Sequence, residues 1–437
     1  MPDGTRTIRR RAVLSGIGVG IAGLAGCTGN QGQGGDGGDG TTTTSGGGTT
    51  TTGSVSETKL TIAGLWSGAE EKDFQQVLEY VESEAAVTTE YHPRTTSSLK
   101  SGTLMDYTSG VATADVVIMP WTSRIRSDAK SGHLSPMGGL WKGENYAVSQ
   151  DQVSTGGSVY GAPFKMDLKP GFWHRQSFFE DHGLSEPDSY DEFKTLLETI
   201  SQIEGVDAPM ASGGGAGWPL SDQVEAYFLR QQNGAALQRG LISGEADFTD
   251  QRVQSAFDEV KRLLQADRFS KLRPFSIQYQ YMWDGSTPLY FMGSWTPTMG
   301  PVKDPSDLGV FRLPGVEGMV GSVNWLTVPT YSDNVQTAKQ VADLITSKAG
   351  QRIWAKRGGF IASHTGVPQS AYQLEIMAKM SQLASDVTIV PDLDDSLGNP
   401  FQTSFWAQLK GLWTSPSTDL TTILQTLENK QDASLSS

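Results

Sequence analysis

The chain has little cysteine and few charged residues, and both shortages exclude classes of protein. A single cysteine among 437 residues allows no internal disulfide and no cysteine-based zinc site. Charged residues make up only 19% of the chain, which together with 51 glycines excludes a coiled coil. Lysine and arginine number 34 against 48 acids, so there is no broad cationic surface to replace phosphate counterions, and we expect no nucleic-acid partner.

Catalytic and metal-binding motifs are also missing. The sequence has no H-E-x-x-H, no G-x-x-x-x-G-K-[ST], no G-x-S-x-G and no kinase signature. Its five histidines show no ligand spacing, so we expect no metal and no cofactor. The carboxylate pairs Glu70/Glu71 and Asp394/Asp395 leave an anchored glycoside hydrolase as an alternative, although neighbours in sequence rarely face one substrate. The sequence therefore predicts a protein that is not an enzyme.

Long apolar runs are missing except near the N-terminus. The run 12–26 follows three arginines and is too short and too glycine-rich for a permanent membrane-spanning helix. This pattern predicts an export signal over residues 1–26, and the paired arginines are typical of twin-arginine signals. Residues 24–27, Leu-Ala-Gly-Cys, match a lipobox that ends in Cys27, the predicted site of lipidation. A signal peptide with an incidental cysteine is the alternative.

Residues 27–58 are predicted to form a flexible tether. From 28 to 58, eleven glycines and ten threonines account for 21 of the 31 residues. Such a segment buries too little apolar surface to offset the entropy lost on ordering. With a lipid on Cys27, the tether would hold residues 59–437 at the extracellular face of the cell membrane.

The remaining chain alternates strand-like and helix-like segments. Strands are predicted at 60–65, 87–91, 115–119, 288–292, 310–313 and 322–328. Helices are predicted after the capping boxes that begin at Ser67 and Ser189, and at 222–232, 249–266, 336–347, 349–357, 371–383, 403–413 and 418–429. Strands separated by helices imply an α/β protein with mainly parallel sheets that are covered by helices on both sides.

Tryptophan is the most informative residue type, with 11 copies. Several are predicted to lie at or just past the ends of strand-like segments: Trp66, Trp121, Trp218, Trp283, Trp295 and Trp325. Ligands of open α/β sheets bind at strand ends, and indole rings stack on the apolar faces of sugars. These positions therefore predict a carbohydrate site. Burial in a core is the alternative for each tryptophan taken alone.

Five segments, taken in order, resemble one family. They are WSGAEE at 66–71, ADVVIMPW at 114–121, VYGAPFKMD at 159–167, GWPLSD at 217–222 and MGSW at 292–295. From residue 59 almost to the C-terminus, the chain resembles the extracellular solute-binding proteins of ABC importers. It is most similar to the carbohydrate-binding group that includes maltose-binding and alpha-glucoside-binding proteins.

The resemblance implies the type II periplasmic-binding-protein fold, in which two hinged α/β lobes clamp a ligand. It implies an N-lobe of 59–165 plus 296–330 and a C-lobe of 166–295 plus 331–437. The implied function is a monomeric receptor that captures an oligosaccharide or alpha-glucoside and delivers it to an ABC permease in the membrane. A non-sugar solute such as glycerol phosphate, a polyamine or a metal complex is the alternative.

The resemblance also implies the residues of the site. The N-lobe wall is expected from Trp66, Ser67, Glu70 and Trp121, and the first crossing between lobes from Lys165 and Asp167. The other wall is expected from Trp218, Asp222, Trp295 and Trp325, with Trp283 as a further strand-end tryptophan. A capping box accounts equally well for Ser67 and Glu70. A structural ion pair is the alternative for Lys165 and Asp167.

Overall fold

The computed structural model of the chain describes residues 58–141, 143, 145–300 and 304–436. The predicted export signal, the lipidation site Cys27 and all but the last residue of the predicted tether lie outside these ranges. Among the helices of the described part, none is both long and apolar enough to cross a membrane.

The strands of the described ranges form three sheets. In chain order they are β1 (Thr58–Gly64), β2 (Val87–Pro93), β3 (Val116–Met119), β4 (Ser154–Thr155), β5 (Ser158–Val159), β6 (Ala162–Lys169), β7 (Gly171–Arg175), β8 (Met210–Ala211), β9 (Leu289–Met292), β10 (Leu308–Phe311), β11 (Met319–Thr327), β12 (Ile361–Ala362) and β13 (Ile389–Pro391). All six strands predicted from the sequence are confirmed, within three residues at each end.

The helices follow the amphipathic segments of the sequence. They are α1 (Ala69–Glu84), α2 (Thr103–Thr108), α3 (Thr122–Lys130), α4 (Gln176–Asp181), α5 (Tyr190–Ile200), α6 (Trp218–Leu229), α7 (Gly234–Ser243), α8 (Gln251–Gln265), α9 (Phe275–Asp284), α10 (Val335–Thr346), α11 (Lys348–Ala355), α12 (Glu375–Asp386), α13 (Leu393–Leu397), α14 (Phe401–Thr414) and α15 (Leu420–Leu435). The helix α8 shows the pattern clearly, because Val253, Phe257, Val260 and Leu264 recur at helical spacing and are buried.

The two predicted capping boxes had different outcomes. At α5 the Ser189 side chain accepts a hydrogen bond from the Glu192 amide, and the Glu192 side chain accepts one from the Ser189 amide, which confirms the box. At α1 the prediction was wrong, because the helix begins one residue later. Gly68 precedes α1 with φ at 64°, and no side chain caps it. A left-handed backbone at this position suits glycine.

The larger sheet has the strand order β12–β6–β11–β3–β1–β2, with β13 beside β11. Strand β1 is parallel to β2 and β3, as predicted. Strand β11 is antiparallel to both β3 and β6, so the prediction of mainly parallel pairing fails here. The reason is the path of the chain. It leaves this sheet at the end of β6 and returns at the start of β11, where Val320 pairs with Lys169.

The smaller sheet has the order β10–β7–β9–β8, and its strand β7 comes directly after β6 in the chain. Successive residues of a strand point to opposite faces, and β7 shows the consequence. Phe172 packs in one hydrophobic core with α5, α6 and α8, whereas Trp173 packs in the other core, which extends to the larger sheet. The smaller sheet is thus covered on both faces. We use first lobe for the larger sheet with its helices, and second lobe for the smaller sheet with its helices.

Two segments pack with a different sheet or core from the one that the predicted lobe boundaries imply. Strand β10 lies within the predicted N-lobe segment 296–330 but pairs with β7 in the smaller sheet. Helices α10 to α12 lie within the predicted C-lobe segment 331–437, yet Val341, Trp354 and Met377 pack in the first core. Periodicity reveals that a helix has an apolar face, but not which sheet that face covers.

Candidate ligand-binding site

A cavity of 310 Å³ lies between elements of the two lobes. Part of its wall is built by loops that follow strands, as expected for an α/β protein, and the rest is built by strands β6 and β11 and by helices. Trp66 follows β1, Trp121 follows β3 and Trp295 follows β9. The cavity brings together eight residues that were predicted from the sequence: Trp66, Glu70, Trp121, Lys165, Asp167, Trp218, Asp222 and Trp295.

The floor of the cavity is built by β6 and β11. Along β6, Lys165, Asp167 and Lys169 alternate with residues that are buried in the core, so the three polar side chains share one face. On β11, Ser322 pairs with Asp167 and Asn324 pairs with Lys165, and both also line the cavity. The pairing explains why polar groups from two distant segments meet on one surface.

Lys165 is the centre of the polar contacts on this floor. Its Nζ donates a hydrogen bond to Glu70 Oε1 at 2.7 Å and lies 2.8 Å from Asp167 Oδ1. Burial alone would lower the pKa of Lys165, but the charges of Asp167 and Glu70 raise it above its ordinary value. Lys165 therefore stays charged, and it orients two carboxylates whose remaining lone pairs can accept hydrogen bonds.

A second ion pair joins the floor to the second lobe. Lys169 Nζ donates to Asp222 Oδ2 at 2.6 Å, and both side chains are buried. Burial raises the pKa of Asp222 to about 7, with a further contribution from the charge of Asp392, although Lys169 opposes the shift. The pKa of Lys169 is also raised, because Asp222 and Asp392 outweigh the effect of burial.

Aromatic side chains line the cavity from both lobes. Trp218 lies with its ring centroid 5.9 Å from that of Trp295 and 5.3 Å from that of Phe275. Lys169 Nζ lies 5.1 Å from the ring centroids of both Trp218 and Trp295. Trp406 of α14 completes the aromatic lining. Rings of this kind offer flat apolar surfaces beside hydrogen-bonding groups.

Two glycines allow these rings to sit close to the backbone. A Cβ on Gly293 would fall 2.0 Å from the Trp295 ring, and one on Gly217 would fall 2.6 Å from the Trp406 Cβ. Any larger residue at either position would displace the ring that it faces. Packing therefore requires a glycine at position 293, two residues before Trp295.

Three aspartates at α13 form an acidic wall on the second-lobe side: Asp392, Asp394 and Asp395. The Gln402 side-chain amide donates to Asp394 Oδ2 and to Asp395 Oδ1, each at 2.8 Å. Burial raises the pKa of Asp395 to about 7 and raises that of Asp394 well above its usual range, and Asp392 adds to both shifts. Asp394 and Asp395 therefore hold a proton more readily than an ordinary aspartate does.

Three predicted site residues do not line this cavity. Ser67 is exposed just before α1. Trp325 is fully buried on β11 and stacks on Trp141, because the alternation that turns Asn324 into the cavity turns Trp325 into the core. Trp283 is buried on α9 with its ring edge-on to Tyr279. For both tryptophans, burial in a core was the correct interpretation.

Sequence reasoning missed several residues that line the cavity: Lys169, Phe275, Asn324, Asp392, Asp394, Asp395 and Trp406. The signal for Lys169 was present, since it continues the alternation of Lys165 and Asp167 along one strand. Asp394 and Asp395 do face one cavity, contrary to the general expectation for sequence neighbours. Trp406 carries no local signal, because it projects from the middle of a helix.

Some of the acidic residues are close enough to share a cation. The oxygen atoms of Asp222, Glu225 and Asp392 lie within 4.8 Å of one another, as do those of the acidic wall. Oxygen-only sets of this kind suit hard cations. The prediction that the protein holds no metal or cofactor stays a prediction.

Comparisons with known proteins agree with this architecture. Residues 67–352 match the family described as bacterial extracellular solute-binding protein. An uncharacterized ABC transporter extracellular-binding protein of Pyrococcus horikoshii is 38% identical over 395 residues, which cover 90% of this chain and 92% of that relative. The alpha-glucosides-binding periplasmic protein of Rhizobium meliloti is 25% identical over 359 residues, with 75% and 77% coverage.

A solved structure supports the fold. The bacterial solute receptor AcbH, described as preferring β-D-galactopyranose, superposes with a TM-score of 0.77 at 17% identity and covers 85% of this chain and 98% of its own. The predicted two-lobed α/β fold of the type II periplasmic-binding proteins is confirmed. The chain belongs to the family of bacterial extracellular solute-binding proteins, the solute-binding receptors of ABC transporters.

Proposed function

We propose that this receptor captures a sugar, an oligosaccharide or an alpha-glucoside, in the cavity between its lobes and delivers it to the permease. The observation that carries the proposal is the composition of that cavity. Indole rings of Trp121, Trp218, Trp295 and Trp406 line it together with carboxylate, ammonium and amide groups. Rings that stack on sugar faces beside groups that bind hydroxyls are the chemistry a carbohydrate requires.

The proposed mechanism is closure of the lobes over the ligand. Each lobe supplies part of the cavity wall, so only the closed form makes every contact, and the ligand shifts the population toward it. Contacts between α3 of the first lobe and α13 of the second support this arrangement. Ser123 Oγ donates to the Asp395 carbonyl oxygen at 2.9 Å, and Arg126 Nη2 donates to the Ser396 carbonyl oxygen at 3.0 Å.

The proposal includes a lipid anchor on Cys27, a monomeric receptor and the absence of catalysis. We also propose lobe boundaries that follow the two sheets, with the first crossing at Lys169–Gly171. In the intact cell, a Cys27→Ser variant should be released from the membrane. A membrane-bound variant would contradict the anchor without affecting the proposed ligand.

A thermal-shift screen against a sugar library, at low and at high salt, tests the proposed ligand class. A ligand that binds the folded state raises the melting temperature by mass action. We expect at least one saccharide to do so and to be recovered intact from the protein. Melting temperatures that no sugar changes would contradict the proposal, and turnover of the sugar would favour the hydrolase alternative.

A further inference from the structure

The cavity has far more negative than positive groups. Six carboxylates and two ammonium groups line it, a formal charge of −4 when all are ionised. Both ammonium groups are already engaged. Lys165 contacts Glu70 and Asp167, and Lys169 contacts Asp222, at 2.6 to 2.8 Å. Neither lysine is therefore free to neutralise an anionic ligand such as a phosphate ester.

The acidic wall lacks a direct ion pair of this kind, although the charges of Lys100 and Lys169 act on it from further away. Within the described ranges, none of Asp392, Asp394 and Asp395 forms an ion pair. Their hydrogen-bonding contacts are with the side chains of Gln402, Ser221 and Asp222 and with a backbone N–H group, and none of these groups is cationic. A nearby ammonium, Lys100 Nζ, donates to Gln402 Oε1 instead. Buried carboxylates without a cation in direct contact are costly, so a cationic group of a ligand would stabilise them.

Glu225 adds an unpartnered oxygen behind this wall. Its side chain is fully buried, and in the described structure its Oε1 has no hydrogen-bond partner, although Oε2 accepts from Gln238 and from the Leu393 amide. The carboxylate oxygens of Glu225, Asp222 and Asp392 lie within 4.8 Å of one another. Glu225 does not line the cavity, and burial together with the charges of Asp392 and Asp394 raises its pKa well above the usual range. It therefore adds to the acidic character behind the wall and is not itself a ligand contact.

The aromatic rings indicate what kind of cation fits. Lys169 Nζ lies 5.1 Å from the ring centroids of Trp218 and Trp295, and Lys100 Nζ lies 4.3 Å from that of Trp121. The cavity walls thus already hold ammonium groups against indole rings. Indoles bind organic ammonium groups through cation–π attraction, whereas a bare metal ion takes only the oxygens.

We propose that the preferred ligand is an aminated sugar whose protonated amine is bound by Asp392, Asp394 and Asp395 while its ring stacks on the indoles. This inference rests on the proposed function and narrows it. It also bears on the non-sugar alternatives, because an acidic site of this kind would not bind glycerol phosphate or other anions. A polyamine would share the ammonium chemistry but would leave the hydroxyl-binding floor of β6 and β11 unused.

Calorimetric titration with matched sugars tests the proposal. Glucosamine is compared with glucose, and a glucosamine trisaccharide with its N-acetylated counterpart, at pH 7 and low salt. Each pair differs in the charge at one position of each ring. We expect the amine to bind at least about tenfold more tightly in at least one pair, since a charge-assisted contact is worth roughly twice a neutral one. Equal or weaker binding of the amine, or binding of glycerol phosphate, would overturn the inference.

Substitutions in the acidic wall test whether these aspartates cause the preference for the amine. In the Asp394→Asn/Asp395→Asn protein we expect the ratio between amine and neutral sugar to fall toward one. The matched control is Asp191→Asn on α5, whose carboxylate is 90% exposed and outside the cavity, and it should keep the wild-type ratio. If the double variant does not fold, salt provides the second readout. Raising salt to 1 M should weaken the amine and spare the neutral sugar. A ratio insensitive to salt would contradict the proposal.

Two further binding results distinguish a failure of this inference from a failure of the proposed function. Binding of neutral sugars without preference for the amine would overturn only the inference. Binding of spermidine with no sugar binding at all would contradict the proposed function, and with it the aminated sugar.

Discussion

Lys165, Asp167 and Lys169 show how far a local pattern determines a binding surface. Alternation along β6 places the three side chains on one face, and this could be read from the sequence alone. Their partners could not, because Glu70, Asp222 and Asn324 come from segments far away in the chain. The same limit applied to Trp325, whose burial depends on its register against β6.

Trp295 is expected to be an anchor for the ligand. Replacing it by alanine removes a ring that lines the cavity and should weaken sugar binding by more than about tenfold, since stacking anchors are typically worth ~2 kcal/mol or more. Titration calorimetry with the best sugar from the screen measures the change.

The matched control for this variant is Trp325→Phe, which alters an indole in the core. It should bind the sugar with wild-type affinity, even if it unfolds at a lower temperature. An unchanged dissociation constant for Trp295→Ala would remove Trp295 from the site.

The raised pKa of Asp222 makes stability depend on pH. Burial holds this pKa at about 7, whereas the unfolded chain has an ordinary value near 4, so the folded state holds a proton that the unfolded state has lost. The stabilisation is present below the unfolded value and is lost as pH rises through about 7. Between pH 6.5 and 8 the free energy of unfolding should fall by about 1 kcal/mol from this group.

Urea denaturation of the ligand-free protein at several pH values measures this slope. Burial lowers the pKa of His174 to about 4, so its contribution to stability rises with pH from about 4 through its ordinary value of 6.5 and partly offsets the fall from Asp222. This contribution is common to both proteins and cancels when the wild type is compared with Asp222→Asn, which should have a flatter slope. Equal slopes in the two proteins would contradict the assignment.

Among the elements, the strands and helices were largely predictable and the sheet topology was not. Capping, apolar periodicity and strand runs gave correct positions for every predicted strand, because these signals are local. The direction of β11 and the sheet covered by α10 to α12 depend on the path of the chain between lobes. No periodicity encodes that path.

The short helix α13 carries a prediction about closure. Its carbonyl groups accept hydrogen bonds from Ser123 and Arg126 of α3, which joins the two lobes beside the cavity. Replacing Arg126 by glutamine should destabilise the closed form, so the sugar should dissociate several-fold faster. Stopped-flow fluorescence, which reports on the tryptophans of the cavity, measures the rate.

Arg252→Gln is the control for the hydrogen bonds between α3 and α13. Arg252 pairs with Asp250 within the start of α8, away from that contact. Its dissociation rate should match that of the wild-type protein. Equal rates for Arg126→Gln and the wild type would show that this contact does not stabilise closure.

For the whole molecule, two hydrophobic cores flank a cavity rich in indoles and acids. The sequence predicted the fold class and eight residues that line the cavity, because the strand-end tryptophans and the first-crossing residues have local signals. It did not predict the acidic wall, which forms only when α13 and α14 of the last quarter of the chain return to the cavity.

The function proposed for this receptor depends on closure of the lobes over a sugar held in this cavity. Small-angle X-ray scattering during a sugar titration measures that closure. We predict that the radius of gyration falls and saturates at the dissociation constant found by calorimetry, while glycerol phosphate leaves it unchanged. A radius that stays constant at saturating sugar, or that falls with glycerol phosphate and not with sugar, would contradict the account.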